Sequence, residues 1–181
     1  MVWALPLPRR PQVLISELVF RNPPMPLDRV DEALAGLERA GLRAVLMGGW
    51  GVDALVGRQL RTHRDLDLAV QASELDQAVE VLLGLGFERW HRDDSPAALG
   101  TLDLKRTECC RDQAMRAVDL HGVDLSTLEV TGGRVGTREV LCLSPEEQLR
   151  AQTDRSRTPS GRRRHRANLE ALAAVMAAKA G

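Results

Sequence analysis

The stretch Met47–Val70, MGGWGVDALVGRQLRTHRDLDLAV, sets two adjacent glycines ahead of a helix-length apolar run and closes on two aspartates separated by one leucine. Asp65 to Val70 reads as a strand, on which alternate side chains point to opposite faces. Asp65 and Asp67 therefore share one face while Leu66 and Leu68 point into the core. A carboxylate buried without compensation is costly, and a metal ion is one group that offsets that cost. The two aspartates stand roughly 6.5 Å apart along the strand. That spacing suits carboxylates bridging two divalent ions about 3.5–4 Å apart.

An Asp-x-Asp pair alone describes a solvated strand edge equally well, and two further features shift the reading. Gly48-Gly49 falls at a strand-to-helix junction, where glycine lets a ligand approach the backbone and the free N–H groups of a helix start favour phosphate. A tight turn chosen for sterics is the plainer alternative. The segment Ala117–His121, AVDLH, repeats the apolar-Asp-apolar pattern, so Asp119 on a neighbouring strand supplies a third carboxylate. Three acids in one cluster need divalent cations to coexist. Between glycines and acids lie Arg58, Arg61, His63 and Arg64. Cations beside an acidic metal pair make sense if a polyphosphate lies across both. Arg58 and Arg64 serve equally as surface charges, and His63 as a structural histidine; no second histidine at ligand spacing supports zinc.

Working outward, the 181 residues are 44% hydrophobic and 28% charged, which fits one globular domain with a substantial core. The 25 basic and 25 acidic residues balance, so no global field draws the chain to nucleic acid or membrane. Arg155–Arg166, RSRTPSGRRRHR, is locally basic, either a solvated turn and helix start or a patch for triphosphate or RNA. Cys109, Cys110 and Cys142 have no ligand spacing, and adjacency disfavours a Cys109–Cys110 disulfide, so reduced thiols and a cytoplasmic location are expected. No apolar run reaches the roughly 20 residues of a membrane span. The order of apolar and basic residues at the N-terminus is wrong for a secretory signal.

Prolines 23, 24 and 26 separate an N-terminal extension (1–26) from the main domain (27–153), followed by a basic linker and C-terminal helix (154–181) packed on the same domain. Helical periodicity marks 27–42 with a stop at Gly41, 49–57, 73–86 with Ser73 as cap, and 166–180. Ser144, Pro145 and Glu147 open another helix as cap, first position and capping-box acid. Short strands are expected at 43–47 and 65–70, with strand-like runs in FERWH, LGTLDL, MRAVDLHGVDL and GRVGTREVLCL. Early alternation followed by accumulated strands predicts an α+β fold, a mixed α/β sheet with helices packed on it.

The spaced glycines, the Asp-x-Asp strand and the later acid resemble the signature of the nucleotidyltransferase superfamily. Gly48 to Val70 is similar to the small antibiotic nucleotidyltransferases, the aminoglycoside 2″-adenylyltransferase and lincosamide nucleotidyltransferase groups. AVDLHGVD and GTREVLCLSPEEQLR resemble later segments of that group, so the similarity runs from about Leu27 to Arg150. It implies a polymerase-beta-like nucleotidyltransferase fold with flanking helices. It also implies transfer of AMP from ATP to an antibiotic hydroxyl, with two Mg²⁺ ions. Gly48, Gly49 and Trp50 then form the phosphate-side turn, with Trp50 read as helix packing rather than a stacking platform. Arg61 and His63 contact the triphosphate, Asp65 and Asp67 hold the metals, and Asp119 is the general base or shares in metal binding. The expected partners are a small-molecule antibiotic and a nucleoside triphosphate, with neither nucleic acid nor membrane, in a monomer or homodimer.

The chain departs from that pattern in having no tyrosine and in lacking acidic residues over Thr153–Leu172 beyond Asp154 and Glu170. With two phenylalanines and three tryptophans, an apolar stacking pocket is hard to build. An aminoglycoside, a polycation, would instead meet a rim of carboxylates, for which Asp124, Glu108 and Glu147 are the candidates; Glu146 suits the helix dipole better. A 2″-type aminoglycoside hydroxyl is therefore the expected acceptor, with a lincosamide as alternative. A toxin–antitoxin nucleotidyltransferase acting on a protein or tRNA and a regulatory nucleotide-binding module are the rivals from other classes. Binding alone requires no third carboxylate, which argues against the last.

Overall fold

Val30, Ala33, Leu34 and Leu37 recur at the helical period and are all buried, which makes Leu27–Arg39 the first helix, α1. The computed structural model of the chain describes residues 23–90, 102–155 and 159–180. Helix α1 stops in a Schellman turn, with the Leu42 N–H donating to the Leu37 carbonyl at 3.0 Å and the Gly41 N–H to that of Glu38 at 2.9 Å. Then follow β1 (Ala44–Leu46), α2 (Gly48–Val56), β2 (Asp65–Gln71), α3 (Leu75–Gly84), β3 (Phe87–Trp90), β4 (Arg106–Asp112) and β5 (Ala117–Val123). The hairpin β6 (Val130–Val135) and β7 (Arg138–Leu143) leads into α4 (Pro145–Arg155) and α5 (Pro159–Ala180).

The seven strands form one mixed sheet in the order β3-β4-β5-β2-β1-β7-β6. β2 runs parallel to β5 and β1 parallel to β7, and the other neighbours are antiparallel. Leu66, Leu68, Val70, Val118 and Leu120 point from the central strands into the main core, where they meet α1 and α3. The opposite face carries a smaller cluster of Val45, Met47, Ala69, Val123 and Leu143. Asp65 and Asp67 share the face of Ala69 by strand alternation, so the acids lie on this second face, toward the start of β2. The α+β expectation holds.

Several local expectations are corrected. Ser73 does not cap a helix; it lies in a single 3₁₀ turn, Ala72–Glu74, that leads into α3. The run LGTLDL is not a strand over its described residues 102–104, where only a bridge at Leu102 forms. The strand is instead RTECCRD, whose charged residues have low β-propensity but which is paired on both sides, by β3 and β5. GRVGTREVLCL is two strands, folded back at Gly136-Thr137. Described residues of the expected linker are helical from Pro159 onward, because proline suits a first helical position and arginine is a good helix former. The extension 1–26 lies outside the described residues up to 22, and Met25 is buried in the core. α5 packs on α4 and α2, burying Leu172 and Asn168. Among the described residues no helix is long and apolar enough to cross a membrane.

Candidate active site

The parallel pairing of β2 and β5 sets Asp67 directly opposite Asp119 and Asp65 opposite Ala117. Asp67 and Asp119 are each only 5% exposed, while Asp65 is exposed. Two buried carboxylates on neighbouring strands repel each other, so what surrounds them matters. One neighbour is His121, whose Nε2 lies 3.4 Å from Asp67 Oδ1. Another is the glycine turn: a Cβ on Gly48 would stand 2.2 Å from Asp67 Oδ2, and Gly48 has φ +59°. That position needs glycine twice over, for its left-handed backbone and for its closeness to the carboxylate.

Gly49 faces a second set of groups. A Cβ there would lie 2.2 Å from His63 Nδ1 and 3.1 Å from an Arg61 terminal nitrogen. Helix α2 begins at Gly48 with Met47 as an extended N-cap that makes no side-chain capping bond. The first-turn N–H groups thus keep their capacity for an anion, and Arg61 stands beside them. His63 is buried and held from behind. Its Nε2–H donates to Asp53 Oδ2 at 2.5 Å, and Asp53 Oδ1 accepts from the Leu60 N–H at 3.2 Å. Trp50 is also buried, its ring centroid 4.9 Å from that of His63, which is a packing position.

The structure thus brings Gly48, Gly49, Trp50, Arg61, His63, Asp67 and Asp119 into one neighbourhood, with Asp65 at its exposed edge. It does not bring Glu108 or Asp124 there. Glu108 is the register partner of Leu120, so it points to the opposite face, where Arg106 lies 3.3 Å away. Asp124 follows the far end of β5, five residues or about 16 Å of strand beyond Asp119. It caps the turn Leu125–Thr127, and the Ser126 hydroxyl and N–H hold its carboxyl below the ordinary range. Glu147 is buried on the first turn of α4; its N–H donates to Ser144 Oγ at 3.1 Å, so the predicted cap forms, and its carboxylate meets Arg150. A cleft of about 790 Å³ between α1, α2 and the β6–β7 hairpin contains none of the predicted site residues.

Asp53, Thr107 and His121 were not singled out from sequence. Asp53 carried a usable signal, an acid inside an otherwise apolar helix, GVDALV. Thr107 sits opposite His121 across β4 and β5, its hydroxyl 3.1 Å from His121 Nδ1. Among the described residues no three His, Cys, Asp or Glu side chains form a preformed metal cage. The donor set still fits magnesium, which takes one or two carboxylates and completes its shell with water and substrate phosphate. Asp67 and Asp119, in register beside an uncapped helix start, are such a set.

A family model described as aminoglycoside-2″-adenylyltransferase matches residues 29–171. A lincosamide resistance protein of Staphylococcus haemolyticus is 42% identical over 43 residues, which are 24% of this chain and 27% of that protein. The crystal structure of the lincosamide antibiotic adenylyltransferase LnuA, lincomycin-bound, superposes with a TM-score of 0.67 at 18% identity, covering 84% of this chain and 99% of that one. ANT(2″)-Ia in complex with adenylyl-2″-tobramycin gives a TM-score of 0.67 at 17% identity, covering 84% and 90%. With a family model that spans most of the sequence and a nucleotidyltransferase fold beneath it, the chain belongs to the aminoglycoside-2″-adenylyltransferase family of antibiotic-resistance nucleotidyltransferases.

Proposed function

We propose that the protein transfers AMP from ATP to a hydroxyl of an aminoglycoside, the 2″ hydroxyl by the family's description, and so confers resistance. The observation that carries the reaction class is the register of Asp67 with Asp119 on one buried face, against the uncapped start of α2. The triphosphate lies along the Gly48–Gly49 turn, where backbone N–H groups, Arg61 and His63 meet its charge. Asp65 and Asp67 would hold two Mg²⁺ ions, with Asp119 in reach to share them. Bound there, the metals supply neutralisation of the charge that builds on the phosphoryl oxygens.

Asp119 takes the proton from the acceptor hydroxyl, whose oxygen attacks the α-phosphorus in line. The bond to the bridging oxygen breaks and pyrophosphate leaves on the Gly48 side. Positioning and electrostatics carry such a transfer. A lincosamide acceptor is the second reading. Two observations favour it: the 42% match to a lincosamide resistance protein, and the displacement of Glu108 and Asp124 from the carboxylates, which leaves a polycation without those two acids. Incubation of the purified full chain with ATP, Mg²⁺ and a panel of both drug classes, read by mass spectrometry, tests this. An aminoglycoside gaining one AMP is expected. Product with lincosamides alone replaces the acceptor assignment, and no product with either defeats the proposal.

A further inference from the structure

We propose that His121 is a positioning residue that turns one oxygen of Asp67 away from the substrate, an inference resting on Asp67 as a metal ligand. A carboxylate only accepts hydrogen bonds, so the ring nitrogen facing it, Nε2 at 3.4 Å from Oδ1, carries the proton. Nδ1 is then the acceptor, and the Thr107 hydroxyl donates to it at 3.1 Å. The donors run one way, from Thr107 through His121 to Asp67. Ala69, the register partner of His121 on β2, has only a methyl group and gives the ring room to lean toward Asp67. Oδ1 faces His121, and Oδ2 faces the Gly48 turn. Such outer partners fix the orientation of a metal-binding carboxylate.

The test joins nitrogen NMR of the metal-free full chain with titration by Mn²⁺ alone, followed by water relaxation. His121 is expected as the Nε2–H tautomer, a preference that the near-isosteric Thr107→Val leaves in place because the Asp67 carboxylate sets it. His121→Leu should weaken Mn²⁺ binding about 10- to 100-fold, with His121→Gln restoring part of it. An Nδ1–H tautomer or imidazolium in the wild type overturns the inference. So does wild-type Mn²⁺ affinity in His121→Leu when Asp67→Asn has lost it. Unchanged Mn²⁺ affinity in Asp67→Asn instead defeats the metal reading, and this inference with it.

A separate observation places the acceptor. Asp67, Asp119, Cys109 and Trp90 are successive register partners across β2, β5, β4 and β3, so they share one face and one row. The Gly48 turn sits at the opposite end of that row. In-line transfer puts the attacking hydroxyl and the departing pyrophosphate on opposite sides of the phosphorus. With pyrophosphate at Gly48, the geometry points to an acceptor lying over β4 and β3, and Trp90, 43% exposed with Arg111 stacked on its ring at 4.6 Å, is its wall. This too rests on the proposed transfer. Steady-state kinetics should show the acceptor KM rising about 2- to 10-fold in Trp90→Ala, recovering in Trp90→Phe, with the ATP KM unchanged. Adenylylated product with an unchanged acceptor KM in Trp90→Ala overturns this inference alone. A panel without product defeats the transfer on which it depends.

Discussion

Gly48→Ala separates backbone strain from contact with Asp67, because the fold contains its own control. Gly48 has φ +59° and Gly41 has φ +74°, so alanine at either position adopts a left-handed conformation. That costs about 1–2 kcal/mol, which for a chain of this size lowers Tm by about 2–8 °C. The surroundings differ. A Cβ on Gly41 meets nothing within 4 Å, whereas one on Gly48 falls 2.2 Å from Asp67 Oδ2. Real contacts do not come that close, so the Asp67 carboxylate must move by about an ångström. A misplacement of that size in a reacting constellation costs about 100-fold in rate. Thermal denaturation with single-turnover adenylylation reads both quantities. Gly41→Ala should lose stability and keep its rate, while Gly48→Ala should lose a similar amount of stability and about 100-fold in rate. Equal rates in the two variants would refute the placement of Asp67 against the turn.

Asp67→Asn is expected to fold and to lose turnover, as is the wild type under chelation; near-normal turnover in a folded variant sinks the metal assignment. Asp119→Asn should lower kcat strongly and leave nucleotide affinity almost intact, since a base acts on the chemical step. Lost ATP binding with surviving single-turnover chemistry would make Asp119 a ligand instead. Burial pushes the Cys110 thiol up to about 11, with Glu108 and Asp119 adding to the rise against Arg89. Because the folded state favours the neutral thiol, this contribution to stability is full below about pH 9 and is lost as the pH rises through about 11. Mass mapping after thiol labelling at neutral pH should find Cys110 unmodified until the chain unfolds, and rapid native labelling would contradict it.

The legible part of the site was the part written in consecutive residues. Gly48-Gly49 and Asp65-Leu-Asp67 carry their geometry in local spacing, and Asp119 shows itself by its apolar neighbours. That Asp67 and Asp119 stand opposite each other is a matter of register between strands whose aspartates are 52 positions apart, which no local pattern expresses. The same holds for Asp53 behind His63 and Thr107 behind His121, where each partner is an ordinary residue until the sheet or loop closes.

The placement of Glu108 and Asp124 away from Asp119 sharpens the acceptor question. Nearness to Asp119 in sequence suggested Glu108 and Asp124, but on a pleated sheet parity decides which face a residue joins, and one residue of register reverses every side chain. β4 pairs with β5 so that Cys109, not Glu108, stands across from Asp119. Within β5 the residue sharing that face two positions on is His121. Asp124 lies five positions on, beyond the strand end. On β3 and β4 the residues sharing that face are Thr107, Cys109, Arg111, Trp90 and Glu88, and Glu88, across from Arg111, is the acid among them. A carboxylate rim, if an aminoglycoside is the substrate, can draw on Glu88 from these strands and needs its other acids from elements outside β3, β4 and β5. Lincosamide turnover would need no such rim, so the drug panel also tests which parts of the chain build the acceptor side.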